Sequence, residues 1–218
     1  MLLHYGADII TDKATGTTLL HDCSREGNVN IMEVLVQEKI DLNIQDKMGN
    51  TALHVSVTEE KVNVVKLLLS SNADADIVNI NGKTIFEIVV DKLCRDAGSS
   101  KSDDENIRIL SLVLENMKKI NINDEAVTTS FYWAVQKGHS KIIESFLRHG
   151  VNVNIQNSIG YTPLHVAASN NNEKIVEILL ENGADICLKT KDGLTPPRLA
   201  KLKGYTNLSV KFLAQNYS

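Results

Sequence analysis

The sequence predicts an α-helical repeat protein, and two observations support that prediction. First, glycines recur 33 residues apart, and a threonine stands two residues further along each unit. A fixed period of this length is typical of stacked repeats. Second, apolar residues follow helical spacing within each unit, as Ile175, Ile178 and Leu179 do on one helix face. The recurring residues are Gly16, Gly49, Gly82, Gly160 and Gly193, with Thr18, Thr51, Thr84, Thr129, Thr162 and Thr195.

The sequence motif inside each unit recurs as regularly as the period. The clearest unit reads G-Y-T-P-L-H-V-A-A from Gly160 and G-A-D from Gly183, and His21, His54 and His165 fall at one fixed offset. The period and the motif together resemble the ankyrin repeat over essentially the whole chain. This resemblance implies an all-α solenoid of helix-turn-helix units joined by short β-hairpin-like loops.

The resemblance also divides the chain. It implies a single ankyrin-repeat domain over residues 1–218, with about six repeats behind a partial one. Thr84 and Thr129 are 45 residues apart, which is one period of 33 plus a 12-residue insertion at 95–106. The expected units are a partial repeat at 1–13, repeats at about 14–46, 47–79, 80–124, 125–157 and 158–190, and a C-terminal cap at 191–218.

Local chemistry agrees with helix pairs. Thr162 is a natural N-cap, because its hydroxyl can accept a bond from an early backbone N–H. Pro163 then occupies the first helical position, where no N–H is needed, and Gly183 ends the second helix. The resemblance further implies that His165 hydrogen-bonds backbone groups that join neighbouring repeats. The structural motif positions are Thr18, His21, Thr51, His54, Thr162, Pro163, Leu164 and His165.

The third repeat departs from the others. Glu87 stands where His is usual, and the insertion at 95–106 is rich in Gly, Ser and Asp. Ser102 and Glu105 have the spacing of a capping box, which predicts a second helix that starts near Asp103. The insertion is interpreted either as a tolerated surface segment or as a partner loop with a phosphorylation site at Ser102.

The two ends of the repeat array differ in polarity. The last repeat offers Arg198, Lys201, Lys203 and Lys211 for a polar outer face, whereas the N-terminal end offers no capping repeat. A terminal repeat needs a polar outer face to stay in solution. We therefore expect that the sequence has lost preceding repeats or exposes an apolar end. A monomer is expected unless that end self-associates.

Composition narrows the classes of function. The net charge of −4 gives no electrostatic basis for nucleic-acid binding. No window of 18 apolar residues is present, so no membrane insertion is expected. Cys23, Cys94 and Cys187 form no C-x-x-C pair, which predicts reduced, buried thiols and a cytoplasmic or nuclear location.

The sequence shows no catalytic or metal-binding pattern. Nucleotide-binding, metalloprotease and serine-hydrolase motifs are all absent from it. The repeated histidines are expected to be structural, because packed helices lie about 8–10 Å apart and His21 and His54 would then be too distant to share an ion. The sequence therefore predicts neither enzymatic activity nor a cofactor.

The expected partner surface is the concave side, which in ankyrin-type stacks is built from hairpin tips and first helices. Four apolar residues at normally variable positions, Ile159, Tyr161, Leu194 and Leu202, cluster towards the C-terminal end. Such a group favours partner binding. The full set of expected partner-binding residues is Met48, Asn50, Glu59, Lys83, Asp91, Thr128, Lys137, Ile159, Tyr161, Asn170, Leu194 and Leu202.

Two further features have alternative interpretations. Trp133 aligns with core-facing positions of other repeats, so we expect packing, with a partner contact as the alternative. Ankyrin repeats are also known targets of asparaginyl hydroxylation, and the resemblance makes Asn43, Asn121 and Asn154 candidate sites. An Asn that merely suits a turn is the other interpretation.

The predicted function is that of a non-catalytic protein–protein interaction module that binds a protein partner on its concave surface. One alternative is a fragment of a larger ankyrin-repeat channel, toxin or regulator whose activity lies outside this chain. Another is an inhibitor or adaptor of a transcription factor or a ubiquitin ligase. A fold alone does not decide among these, because functions reside in sites that one fold can vary.

Overall fold

A computed structural model describes residues 10–95, 100–117, 125–208 and Phe212, without the side chains at 10, 11, 94, 95 and 100–103. The regular secondary structure of the described chain is helical except for a short antiparallel pair of strands near its start. It divides into two compact units, Met1–Lys118 and Lys119–Ser218. Each unit is a stack of helix pairs, which confirms the predicted all-α repeat fold.

Among the described residues, the first unit has two strands and three helix pairs, and the second has two helix pairs and the first helix of the next repeat; residues 206–208 and Phe212 are also helical. The elements of the first unit are β1 (Ile10–Asp12), β2 (Thr17–Thr18), α1 (Leu19–Glu26), α2 (Val29–Gln37), α3 (Ala52–Thr58), α4 (Val62–Ser70), α5 (Ile85–Arg95) and α6 (Ser100–Asn116). Those of the second are α7 (Glu125–Lys137), α8 (Ser140–Arg148), α9 (Pro163–Ser169), α10 (Glu173–Glu181) and α11 (Pro196–Leu202).

Within each unit, first helices pack on first helices and second helices on second helices. In the first unit α3 contacts both α1 and α5, while α4 contacts both α2 and α6. In the second unit α9 lies between α7 and α11, and α8 contacts α10. A short helix pair cannot bury its apolar face alone, so this stacking creates one continuous core per unit. Val64, Val65 and Leu68 of α4 are completely buried in it.

Helix starts are set by side chains that cap them. Thr51 and Thr162 have extended backbones, and their hydroxyls accept hydrogen bonds from the backbone N–H of His54 and His165. These bonds satisfy N–H groups that have no partner inside the helix. Pro163 follows Thr162 at the first helical position. Thr51, Thr162 and Pro163 thus occupy the capping and first-helical positions expected of them.

Tight hairpins connect successive repeats and touch one another. In one hairpin the N–H of Asp46 donates to the carbonyl of Asn50 at 2.9 Å, and in the next the N–H of Ile80 donates to Met48 at 3.0 Å. Gly49 has φ +71°, and an added Cβ would lie 2.8 Å from the backbone nitrogen of Ile80. Glycine is therefore required by both conformation and close approach.

The insertion in the third repeat lengthens both of its helices. α5 has 11 residues and α6 has 17, against 7 and 9 in the preceding repeat. The predicted start of the second helix near Asp103 is wrong, because α6 already begins at Ser100. The earlier start still leaves Asp103 in the first turn of α6, where an acidic residue is favoured. Residues 96–99 lie outside the described residues.

The fourth repeat also begins its first helix early. α7 starts at Glu125, so Thr129, which is the counterpart of the N-cap Thr162, lies within the helix. Ser130 is buried there, and its hydroxyl donates to the carbonyl of Ala126 at 2.8 Å. Thr128 of the predicted partner set is consequently a half-buried helical residue rather than part of a hairpin tip.

The outer face of the first repeat is apolar. Ile31 is 42% exposed and Val34 is 52% exposed on α2, whereas Val64 and Ile175, which are the counterparts of Ile31, are fully buried. The last repeat differs, because Arg198 and Lys201 are exposed at positions where His165 and Ala168 are buried. The side chain of Lys211 lies outside the described residues.

The thiols differ from the prediction of buried cysteines. Cys23 is buried, and burial is the main reason that the pKa of its thiol is raised. Cys187 is exposed, which corrects that prediction for this residue. It follows Asp185 in the hairpin after α10, and the Asp185 carboxylate accepts its backbone N–H at 2.7 Å, so the turn directs this position outwards. The side chain of Cys94 is not described.

Candidate partner-binding surfaces

Histidine side chains join neighbouring repeats, as the resemblance implied. The Nε2 atoms of His21 and His165 lie 2.9 Å from the carbonyl oxygens of Asn50 and Leu194, each 29 residues further on. His54 makes the same contact with Lys83, at 3.2 Å. Each bond runs from the first helix of one repeat to the hairpin of the next.

The same histidines also cap their own helices, which fixes their protonation. The backbone N–H of Thr162 donates to Nδ1 of His165 at 3.1 Å, so Nδ1 is the acceptor. Carbonyl oxygens only accept, so Nε2 must carry the proton. The ring is therefore neutral, and burial, which disfavours the charged form, lowers the pKa of His54 and of His165.

Tyr132 replaces the histidine in the fourth repeat. Its hydroxyl lies 2.7 Å from the carbonyl oxygen of Tyr161, again 29 residues further on, and 2.8 Å from that of Ile155. Burial raises the pKa of Tyr132 to about 12. This role was not predicted from the sequence, although Tyr132 stands at the same distance from Thr129 as His165 from Thr162.

Glu87 replaces the histidine in the third repeat, and it keeps only one of the two roles. Its carboxylate accepts hydrogen bonds from both the backbone N–H and the hydroxyl of Thr84, as the Glu of a capping box does. An ionised carboxylate has no proton to donate. Glu87 therefore caps α5 but cannot make the carbonyl contact that His54 makes.

Amide side chains bridge the loops of adjacent repeats. Asn154 accepts the backbone N–H of Asp185 at 2.8 Å and donates to the carbonyl of Gly183, and Asn43 likewise accepts the N–H of Asp74 at 2.9 Å. These two candidate hydroxylation sites thus have a structural use for their amides. Asn121 and the side chain of Ser102 lie outside the described residues.

The predicted partner-binding residues differ widely in accessibility. The exposed ones are Met48, Glu59, Lys137, Ile159, Asn170 and Leu202, and the half-buried ones are Asn50, Lys83, Asp91, Thr128, Tyr161 and Leu194. Several already have partners within their unit. Lys83 and Asp91 form a salt bridge with each other, and the amide of Asn170 donates to the carbonyl of Gln136 at 3.3 Å.

The predicted C-terminal cluster, Ile159, Tyr161, Leu194 and Leu202, is called here the C-terminal surface. Tyr161 and Leu194 both meet His165, through a ring contact with centroids 5.4 Å apart and through the carbonyl of Leu194. Ile159 is 54% exposed and Leu202 is 67% exposed. The two exposed residues, rather than Tyr161 and Leu194, are thus the ones free to meet a partner.

A second apolar group lies on two adjacent hairpins of the first unit. Met48, Val78 and Ile80 are each more than half exposed, and they are called here the hairpin patch. Only Met48 was predicted. Val78 and Ile80 could have been found by comparing repeats, since Gln156 and Ser158 fill their positions in the fifth repeat.

Trp133 is half-buried and stacks on His139, with ring centroids 4.9 Å apart. Its indole nitrogen is buried and makes no hydrogen bond to any described residue. The expectation of a packed position agrees with this environment. In the described part of the chain, no cluster of His, Cys, Asp and Glu could hold a metal ion, and no helix is long and apolar enough to cross a membrane.

The Tyr132 bridge yields a stability prediction. Tyr132→Phe should lower the free energy of unfolding by about 1–2 kcal/mol, because the one O–H that two carbonyls share is lost. The folded pKa of about 12 exceeds the unfolded value of about 10. The bridge therefore contributes fully below pH 10 and is lost as pH rises towards 12. Urea unfolding, followed by Trp133 fluorescence at several pH values, measures both effects.

Tyr161→Phe is the matched control, since the ring of Tyr161 contacts His165 and the substitution keeps that ring. It should change stability by less than about 0.5 kcal/mol. Equal losses in the two variants, or an unchanged alkaline transition in Tyr132→Phe, would contradict the bridging role.

Comparisons with known proteins agree with this architecture. A family model described as "Ankyrin repeats (3 copies)" matches residues 1–79 and 99–190. An ankyrin repeat domain from Acinetobacter baumannii is similar with a TM-score of 0.62 and 22% identity, covering 89% of this chain and 96% of its own. The ankyrin repeat protein EF0377 is similar with a TM-score of 0.57 and 25% identity, over 90% of this chain and 96% of its own.

A third similar structure is a predatory endopeptidase from Bdellovibrio bacteriovorus in complex with an immunity protein. The likeness has a TM-score of 0.55 and 25% identity, and it covers 87% of this chain and 94% of the matched one. No curated protein matches the chain. The family match spans well over half of the sequence, and the repeat hairpins and bridging histidines agree with it: the chain belongs to the ankyrin-repeat family.

Proposed function

We propose that the chain is a non-catalytic interaction module that binds a protein partner through its C-terminal surface. The observation that supports this most is the exposure of Ile159 and Leu202 on a scaffold whose other large apolar side chains are mostly buried. Exposed apolar side chains at variable repeat positions add little to the stability of the fold, but they can be buried by a partner.

The scaffold holds this surface in a fixed geometry. Ile159 lies in a hairpin whose neighbour is tied to it by the N–H of Lys191, which donates to the carbonyl of Ile159 at 3.1 Å. Beneath it, His165 and Tyr132 anchor the hairpins at Leu194 and Tyr161. A pre-ordered surface loses little conformational entropy on binding, so a small number of apolar contacts can suffice.

Partner binding without catalysis suits the chemistry of the described residues. Three of their histidines are occupied in capping and bridging, while His139 stacks on Trp133 and His149 contacts the carbonyl of Ser145. The carboxylates form ion pairs, caps and turns or lie on exposed surface. One similar solved structure is itself a complex of two proteins. A protein partner in the cytosol or nucleus is therefore proposed.

A second candidate function is that the chain is part of a longer ankyrin-repeat protein whose activity lies in another segment. The exposed apolar face of α2 favours it, since Ile31 occupies a position that a preceding helix covers in later repeats. The two candidates are compatible, because a segment of a longer array can still carry the C-terminal surface.

The partner-binding proposal is tested by Ile159→Asn with Leu202→Ser, which introduce the residues found at equivalent positions, Asn81 and Ser169. Affinity capture from an extract of the source cells, followed by quantitative mass spectrometry, compares this double variant with the unmodified chain. A genuine partner should be lost from the variant, and its purified form should bind the variant at least about tenfold more weakly, which is about 1.4 kcal/mol.

Val34→Ser is the control, because Val34 is equally exposed in the first unit and Ser145 is its counterpart. It should retain the partner. Identical sets of captured proteins from the double variant and the unmodified chain would refute the C-terminal surface. A thermal melt that is unchanged in the double variant separates lost binding from lost folding.

The longer-array candidate is tested by fusing a consensus ankyrin repeat ahead of Met1. Covering Ile31 and Val34 should raise the free energy of unfolding by at least about 1 kcal/mol, because apolar area leaves water. The gain should shrink in Ile31→Gln with Val34→Ser. A fusion that unfolds at the same urea concentration as the parent chain would count against a repeat-binding face.

A further inference from the structure

The two units carry charge of opposite sign. Residues 1–118 contain 12 Lys and Arg against 19 Asp and Glu, whereas residues 119–218 contain 11 against 8. The first unit therefore has a formal net charge of −7, and the second has one of +3. The hairpin patch lies on the acidic unit, so any partner that docks there meets a negative potential.

The patch is contiguous because its hairpins are joined by their backbones. Ile80 donates its N–H to the carbonyl of Met48, and the amide of Gln45 reaches the carbonyls of both Gly49 and Val78, at 2.7 and 3.0 Å. Met48, Val78 and Ile80 thus stand on one rigid edge. Ile80 is 62% exposed, although its counterparts in other repeats are Lys47, Ser158 and Lys191.

The lysines near the hairpin patch already have partners within the unit. Lys47 donates its ammonium group to the carbonyls of Lys13 and Ala14, and Lys83 pairs with Asp91. Both nearby lysines are thereby engaged within the unit.

The carboxylates beside the patch are accessible. Asp74 and Asp76 are exposed and form no salt bridge with any residue of the described chain. They line a cleft of about 260 Å³ together with Asn43, Asn72 and Asn116.

We propose that the hairpin patch binds a basic amphipathic segment of a partner protein. The apolar side chains of that segment cover Met48, Val78 and Ile80, and a Lys or Arg lies against Asp74 and Asp76. Asp76 and Val78 are two residues apart, which is within about 7 Å along the chain, so one segment spans both features. This surface is separate from the C-terminal surface and does not depend on it.

Other occupants fit less well. A second copy that met the hairpin patch through its own patch would bring two acidic units together, and like charges oppose that contact. Nucleic acid and anionic lipid surfaces are negative and would be repelled by the same carboxylates. A partner with apolar and positively charged side chains satisfies both properties of the patch.

The test uses three synthetic peptides of equal length: a helical amphipathic Leu/Lys peptide, a Leu/Glu peptide with the same pattern, and a Ser/Lys peptide. Fluorescence polarisation with the full chain measures their affinities. The Leu/Lys peptide should bind at least about tenfold more tightly than either of the others. Its affinity should fall as NaCl rises from about 50 to 300 mM, because salt screens the charge contribution.

Matched variants locate the binding. Val78→Gln with Ile80→Ser introduces the residues of the fifth repeat, Gln156 and Ser158, and should weaken the Leu/Lys peptide about tenfold. Leu202→Ser removes an equally exposed apolar residue from the second unit and should leave this affinity unchanged. Asp76→Asn should weaken binding less and flatten its salt dependence.

Equal affinity for the Leu/Lys and Leu/Glu peptides would overturn the proposal, as would equal binding by the patch variant. Loss of binding in Leu202→Ser alone would move the site to the C-terminal surface and also overturn it. All four substituted positions are exposed, so a circular-dichroism melt is expected to be unchanged. A failure here leaves the capture experiment on the C-terminal surface unaffected.

Discussion

The structure depends on one hydrogen bond that is repeated at a separation of 29 residues. A side-chain donor on the first helix of a repeat reaches the carbonyl at the base of the next hairpin, from His21 to Asn50, His54 to Lys83 and His165 to Leu194. Tyr132 does the same with a hydroxyl. Because the three histidines are buried, their bonds are made at low dielectric, where an unsatisfied carbonyl is costly.

The repeated hydrogen bond distinguishes residues that stabilise the fold from residues that can contact a partner. Most of the capping and bridging residues, such as Thr162 and His165, are buried, and substitutions at them are expected to change stability first. The hairpin tips that they hold in place are free to vary, and there the chain places Met48, Ile80 and Ile159 in water. Rigid hairpins present these side chains with little loss of entropy on binding. Function should therefore follow the residues at the tips, while Thr162 and His165 report only the fold.

The sequence predicted the architecture well because period, capping threonines and histidines all point to the same fold. It failed where a local signal had more than one solution. A capping-box spacing at Ser102 did not mark the start of α6, since a helix can begin at Ser100 and keep its acids in the first turns. Exposure at Val78 and Ile80 is a tertiary property, visible in sequence only when repeats are compared position by position.

The most direct measurement of the account is a ¹⁵N NMR determination of the histidine ring states. At pH 7 the rings of His21, His54 and His165 should be neutral with the proton on Nε2, and this proton should exchange slowly with water. His54 and His165 should titrate below the ordinary value of about 6.5, so the stability they contribute is complete above that pH and is lost below it. Averaged tautomers in the bridging rings, or a pKa of His54 or His165 at or above 6.5, would contradict the bridging role.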